Sequence, residues 1–219
     1  MHSTFVLQFG TTSMKRLTVV LVTLLFSGIG SFAQEAKQWS ETDRKYLLDN
    51  LIRSRDELIR ETNGLTNEQW HFKESPDRWS INEIVEHIAL WELLLEYRIT
   101  RQLDLGVQPD RAKDAIDDSE ALGFIMEEKK HHSADYTGPF TYTIPMGLNS
   151  PESNLAWVMK LRKEAIDHVS KTSSDLRQYF VSDSGSNSHQ VYITLFGHAD
   201  RHIRQIKKVK QHRAYPANR

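Results

Sequence analysis

Long amphipathic segments constrain the fold of this chain more than any other feature of its sequence. In four segments, apolar residues recur at the three- and four-residue spacing that defines one face of an α-helix. Two of these segments open with a capping-box pattern, formed by Ser40 with Asp43 and by Ser80 with Glu83. These patterns predict an all-α fold. The predicted helices cover residues 40–64, 80–105, 151–171 and 190–211.

The segments between the predicted helices are rich in residues that break helices. We expect a connector with one short helical turn over residues 65–78, and a flexible loop of serine and glycine over residues 182–188. Residues 106–150 contain a charged stretch, a short predicted helix at 119–130, and several glycines and prolines. We interpret this region as a long connection inside one domain.

The composition fits one globular domain and excludes several kinds of site. The chain has 219 residues, of which 39% are hydrophobic, and its 28 basic residues nearly balance its 29 acidic ones. This balance argues against nucleic acid as a partner. The chain has no cysteine, so disulfides, thiolate nucleophiles and thiolate metal ligands are excluded. Any metal site must therefore use nitrogen and oxygen ligands.

The N-terminal segment, residues 1–33, has the pattern of a secretory signal peptide. A basic pair at 15–16 precedes a short apolar run, and small residues follow at the two positions that signal peptidase reads. We predict cleavage between Ala33 and Gln34, and a periplasmic or secreted mature domain of residues 34–219. An uncleaved membrane anchor is the alternative, which the shortness of the apolar run disfavours. Cleavage would leave no stable membrane insertion.

The last predicted helix holds two histidines one turn apart, His198 and His202. Helical geometry predicts that His202 lies near the centre of the apolar face and His198 at its side, with both rings pointing inward. His87 lies at the edge of the apolar stripe of the second long helix. Two imidazoles at this spacing can bind one metal ion, although the glutamate of the zinc protease motif is absent. From spacing alone, hydrogen-bonded core histidines are the commoner alternative.

Three stretches of the sequence together resemble the DinB-like superfamily. They are Leu-Thr-Asn-Glu-Gln-Trp at 65–70, Trp-Ser-Ile-Asn-Glu-Ile-Val-Glu-His at 79–87 and His-Ala-Asp-Arg-His-Ile-Arg-Gln-Ile at 198–206. The resemblance covers residues 40–211 and implies a four-helix bundle with a long crossover connection between its second and third helices. It also implies one metal-binding histidine on the second helix and a pair on the fourth. In this chain they correspond to His87, His198 and His202.

The resemblance thus implies a three-histidine site for a divalent metal ion such as zinc or nickel. Three ligands leave open positions for water or substrate, so the site is of the catalytic type. The resemblance implies either metal-dependent hydrolysis or the use of a small-molecule thiol. We predict an exported metal-dependent hydrolase that acts on an unidentified small molecule. A non-catalytic metal- or ligand-binding bundle and a metal-dependent thiol transferase are the alternatives, and a homodimer is left open.

Several other side chains are weaker candidates for a role at this site. His168 lies on the inner side of the third long helix, where a core histidine is the commoner alternative. Asp200 is expected to form a surface ion pair, and His131 and His132 are expected to be exposed. Three glutamates near His87 can act as general bases or orient an imidazole, although glutamates on a helix flank are more often solvated. They are Glu86, Glu92 and Glu96.

Overall fold

Four long and two short α-helices account for most of the described chain. The computed structural model describes residues 38–126, 141–180 and 185–217, which all belong to one unit, Gln34–Arg219. The long helices are α1 (Glu41–Thr62), α3 (Ile81–Leu105), α5 (Pro151–Lys171) and α6 (Ser188–Lys210). The short ones are α2 (Asn67–His71) and α4 (Asp118–Met126). Short 3-10 turns lie at Pro109–Asp114, Thr141–Thr143 and Leu176–Gln178.

The four long helices pack as a bundle. Both α5 and α6 contact α1 and α3, which places α1 and α3 at opposite corners. The long connection from α3 to α5 carries α4, which packs against α6. The predicted all-α four-helix bundle is confirmed. None of the helices among the described residues is both long and apolar enough to cross a membrane.

Side-chain caps set the boundaries of the first two long helices. The capping boxes predicted at Ser40 and Ser80 are both present, and each satisfies backbone N–H groups that have no partner inside the helix. Helix α3 ends at Leu105, and the residue that follows as its C-cap is Gly106, whose φ of 79° favours glycine. The short helix predicted at 119–130 is present as α4, and its predicted last turn lies outside the described residues.

The last long helix begins earlier than predicted. Asn187 caps it, because the Asn187 side chain accepts from the Gln190 backbone N–H and the Gln190 side chain accepts from the Asn187 N–H. Ser188 is therefore helical. The flexible loop predicted at 182–188 is wrong at its C-terminal end, and residues 181–184 lie outside the described part of the chain.

Helical spacing predicts that the inward face of α5 consists of Trp157, Leu161, Ala165 and Val169, and the observed face differs at one of them. Leu161, Ala165 and Val169 are buried as expected from their spacing. Trp157 is only half-buried, and the inward position that was predicted for Trp157 is taken by Val158. Val158 lies three residues before Leu161, so it continues the buried stripe at helical spacing.

A buried ion pair joins three of the long helices. Arg162 of α5 and Glu92 of α3 are each 1% exposed, and their charged atoms lie 2.5 Å apart. The Arg162 guanidinium also donates to the Leu51 carbonyl oxygen and to Ser54 Oγ of α1. Burial of the two charges is tolerated because each is paired and hydrogen-bonded. The expectation that Glu92 is solvated is wrong, since Arg162 neutralises it inside the bundle.

Candidate metal centre

Three histidines predicted to share a site do come together in the bundle. Helix α3 contributes His87, and α6 contributes His198 and His202. Each offers one ring nitrogen, and these nitrogens all lie within 4.8 Å of one another. The three side chains are at most 4% exposed. The arrangement brings three potential nitrogen ligands from two helices to one buried point.

The two histidines of α6 have the separation that a shared ion requires. His198 Nε2 and His202 Nε2 lie 3.1 Å apart. Two imidazole nitrogens that each lie about 2.1 Å from one ion in cis positions are separated by roughly 3.0–3.4 Å. The i and i+4 spacing on one helix face produces this approach, because successive turns place the two rings one above the other. These residues therefore fit a divalent metal ion.

Hydrogen bonds fix the orientation of two of the three rings. His87 Nδ1 donates to the Thr143 carbonyl oxygen at 2.6 Å, and His202 Nδ1 donates to Gln205 Oε1 at 2.8 Å. A proton held on Nδ1 leaves Nε2 with a lone pair. Outer partners of this kind orient the ligands of metal sites and make them more basic. Both rings are therefore prepared to bind an ion through Nε2.

Burial keeps the three imidazoles neutral. Loss of solvent lowers the pKa of His87 to about 4 and holds the pKa of His198 and His202 well below the usual value. The positive charge of Arg201 lowers the pKa of His87 and His202 further. At neutral pH all three rings are uncharged. That is the form in which imidazole coordinates a metal.

Two indole rings border the histidine group. Trp79 precedes the cap of α3, and its ring centroid lies 4.7 Å from that of His87. Trp91 lies one turn after His87, and its ring centroid is 4.9 Å from that of His198. Close aromatic packing restricts the rotation of the imidazoles. The tryptophans thus contribute to the site as well as to the core.

The three glutamates near His87 have different environments, and the expectation of solvated side chains is wrong for all of them, since two are buried and Glu96 is half-buried with a buried Oε1. Glu86 is buried, and its carboxylate accepts from the backbone N–H groups of Met146 and Gly147. It therefore ties the long connection to α3. Glu92 is neutralised by Arg162, as described above. Burial raises the pKa of Glu96 to about 7, and Glu92 and Glu164 act in the same direction.

Two other weaker candidates lie away from the histidine group. His168 Nδ1 bonds the Tyr192 hydroxyl oxygen at 2.6 Å, so it is a half-buried histidine of the α5 and α6 interface. Asp200 forms the predicted ion pair, with Arg53 of α1 at 2.6 Å. His131 and His132 lie outside the described residues, so their exposure stays a prediction.

A second group of acidic and histidine side chains is better explained as a structural ion network. Asp43, Asp118 and His189 lie close together, and the Arg177 guanidinium bonds both carboxylates at 2.7 to 2.8 Å. Burial acts to raise the pKa of the two carboxyls, but hydrogen bonds from Arg177 and other donors hold both pKa values well below the usual range. A guanidinium already supplies the positive charge, which disfavours a metal ion there.

Sequence reasoning identified the three ring systems but missed the groups that orient them. Gln205 was detectable in principle, because it lies three residues after His202 and so on the same helix face. Thr143 was not detectable, because it belongs to the irregular connection between α3 and α5 and bonds a residue 56 positions away. Local periodicity carries no information on such a contact.

The fold and the buried histidines define a class of protein, a four-helix bundle with a candidate metal centre in its core. A family model described as the DinB superfamily matches residues 50–206, which include all three histidines. The chain therefore belongs to the DinB superfamily. No curated protein gives a significant match. No solved structure does so either.

Proposed function

We propose that His87, His198 and His202 bind one divalent metal ion, and that the protein is a metal-dependent hydrolase. The observation that carries this proposal is the convergence of three buried, neutral imidazoles, two of which have Nδ1 bonded to an oxygen acceptor. Three nitrogen ligands leave coordination positions for water and substrate, which is typical of catalytic sites and not of structural ones. Zinc and nickel both accept imidazole ligands.

Two oxygen acceptors of the chain hold His87 and His202 in the tautomer that can bind a metal ion through Nε2. The Thr143 carbonyl oxygen keeps the proton on His87 Nδ1, and Gln205 Oε1 keeps the proton on His202 Nδ1. The indole of Trp79 packs on His87 and excludes water from that side of the ring. A divalent ion held by these histidines would supply Lewis-acid activation of water and of a carbonyl or phosphoryl oxygen.

Hydrolysis is tested by turnover of protein purified without a histidine tag. We expect activity on at least one ester, amide or phosphoester, lost on chelation and restored by added metal. With the metal in excess, the rate should rise with pH between pH 5 and 9, around pH 7 if the ion is zinc, as the activated water ionises. Failure in all three substrate classes, or a rate that merely follows metal occupancy, would favour the alternative of a non-catalytic metal- or ligand-binding bundle.

We also propose that the protein is exported to the periplasm or the medium after cleavage between Ala33 and Gln34. The basic pair at 15–16 and the short apolar run after it support this proposal. Export disfavours the thiol transferase alternative, because a thiol cosubstrate is not readily supplied outside the cytoplasm. Mass spectrometry of protein from the native host should find an N-terminus near Gln34. An intact leader on soluble cytoplasmic protein would contradict export.

A further inference from the structure

The carboxylate of Glu86 holds part of the long connection against the helix that carries His87. Glu86 immediately precedes His87 on α3 and is 5% exposed. Its Oε1 accepts from the Met146 backbone N–H at 3.1 Å, and its Oε2 accepts from the Gly147 N–H at 2.8 Å. Hydrogen bonds to a charged acceptor are stronger than those between neutral groups. The connection is therefore firmly attached at this point.

The connection is shaped to offer two consecutive N–H groups to one acceptor. Gly147 has a φ of 68°, in the left-handed region that favours glycine. Consecutive N–H groups that converge at such a bend form a binding site for an anion. Here the anion is a side chain of the protein itself, that of Glu86.

The same stretch of the connection carries the oxygen that His87 bonds. Thr143 is fully buried, and its carbonyl oxygen accepts from His87 Nδ1 at 2.6 Å. Two residues separate Thr143 from Met146. The second of them is the buried Pro145, whose ring restricts its own φ and the conformation of the residue before it. The position of Met146 therefore constrains the position of the Thr143 carbonyl group.

A further contact attaches the connection to α3 one turn before Glu86. Asn82 is 1% exposed, and its Nδ2 donates to the Asn149 carbonyl oxygen at 2.9 Å. Glu86 thus holds the middle of the stretch 143–149, between this bond and the bond to His87. Loss of the Glu86 carboxylate is expected to loosen the Thr143 carbonyl group while the Asn82 bond keeps the connection on α3.

We propose that Glu86 is a positioning residue for the metal centre, because it places the Thr143 carbonyl oxygen against His87 Nδ1. The hydrogen bond that an imidazole makes decides which of its two nitrogens keeps the proton. Glu86 thereby keeps the lone pair of His87 on Nε2. The effect on metal binding rests on the proposed function. The effect on the tautomer does not, since it concerns the protein without metal.

The first test reads the tautomer of His87 by nitrogen-15 NMR of metal-stripped protein with labelled histidine at neutral pH. The wild type should show a protonated Nδ1 and an unprotonated Nε2, and the absence of these signals in His87→Gln assigns them. Glu86→Ala should show a mixture of tautomers. Glu86→Gln, which keeps one acceptor oxygen, should show a smaller change. Glu164→Gln, at an exposed position of α5, is the matched control and should keep the wild-type tautomer.

The second test measures metal affinity by competition with a chromogenic chelator. Glu86→Ala should weaken binding by about three- to tenfold, and Glu86→Gln by less, because both act through the partner of a ligand. Glu164→Gln should bind as the wild type does. An altered tautomer with wild-type affinity would contradict the link to metal binding.

The tautomer separates positioning from a merely structural role. A structural role would lower stability in the Glu86 variants and leave the His87 tautomer of the folded protein unchanged. The proposal is overturned if every folded Glu86 variant has the wild-type tautomer, whatever its metal affinity. Glu86→Gln alone decides if Glu86→Ala does not fold. A wild type that binds no metal would refute the proposed function, and the metal-free tautomers would still decide the role of Glu86.

Discussion

Glu96 is a residue whose protonation we expect to affect stability near neutral pH. Burial raises its pKa to about 7, Glu92 and Glu164 act in the same direction, and Arg162 opposes them. Its Oε1 is buried and accepts no hydrogen bond within the described residues. The folded state therefore keeps a proton that the unfolded chain releases above its ordinary pKa of about 4.3. The resulting stabilisation is present below that value and is lost as the pH rises through 7.

The substitution Glu96→Gln should remove this pH dependence. Between pH 5 and pH 8 the wild type should lose about 2 kcal/mol more free energy of unfolding than the variant, because the variant has no proton to release. Urea unfolding of both proteins at the two pH values measures the difference. The other titrating groups are the same in the wild type and the variant, so their contributions to the pH dependence cancel. Parallel pH profiles would show that the Glu96 carboxyl is ionised in the folded protein.

Gln205 is predicted to control metal affinity without touching the ion. Its Oε1 fixes the proton on His202 Nδ1, so Gln205→Ala should lower metal affinity by about 10- to 100-fold. Gln205→Glu retains an acceptor oxygen and should restore most of the affinity. Competition with a chromogenic chelator measures both variants. Gln211→Ala, at an exposed position beyond α6, is the control, and an equal affinity for Gln205→Ala and this control would exclude the positioning role.

At the scale of the helices, caps explain both the successes and the failure of boundary prediction. Ser40 and Ser80 precede clear apolar stripes, so their capping boxes were recognisable from sequence. Asn187 lies at the end of a serine- and glycine-rich run, and this composition suggested a loop instead. Its capping box with Gln190 was nevertheless present in the sequence. The composition indicated a loop, whereas the capping box indicated the start of a helix. The capping hydrogen bonds form, and the helix starts there.

Loss of this cap should destabilise the helix that carries two of the three histidines. Asn187→Ala removes the bond to the Gln190 N–H and should lower the free energy of unfolding by about 1–2 kcal/mol. Chemical denaturation measures the change. Ser170→Ala, which alters an exposed serine of α5, should change stability by less than about 0.5 kcal/mol. Indistinguishable stabilities of the two variants would show that the cap contributes nothing.

For the whole molecule, periodicity and the family resemblance predicted the bundle and the histidine group, but not the charges inside it. Glu92 and Arg162 are separated by 70 positions, so no local pattern indicates that they pair in the core. Such features arise from packing between helices. The three histidines could be predicted because two of them share one helix face and the family resemblance adds His87 to that pair.

Metal analysis of the protein purified without a tag tests the central claim most directly. The wild type should contain close to one divalent ion per chain, and His202→Ala should contain a small fraction of that amount while circular dichroism stays helical. His71→Ala is the control, because His71 is exposed and bonds only the Asn67 carbonyl oxygen of its own helix among the described contacts. It should retain the full metal content. Equal metal content in the wild type and in His202→Ala would contradict the three-histidine centre.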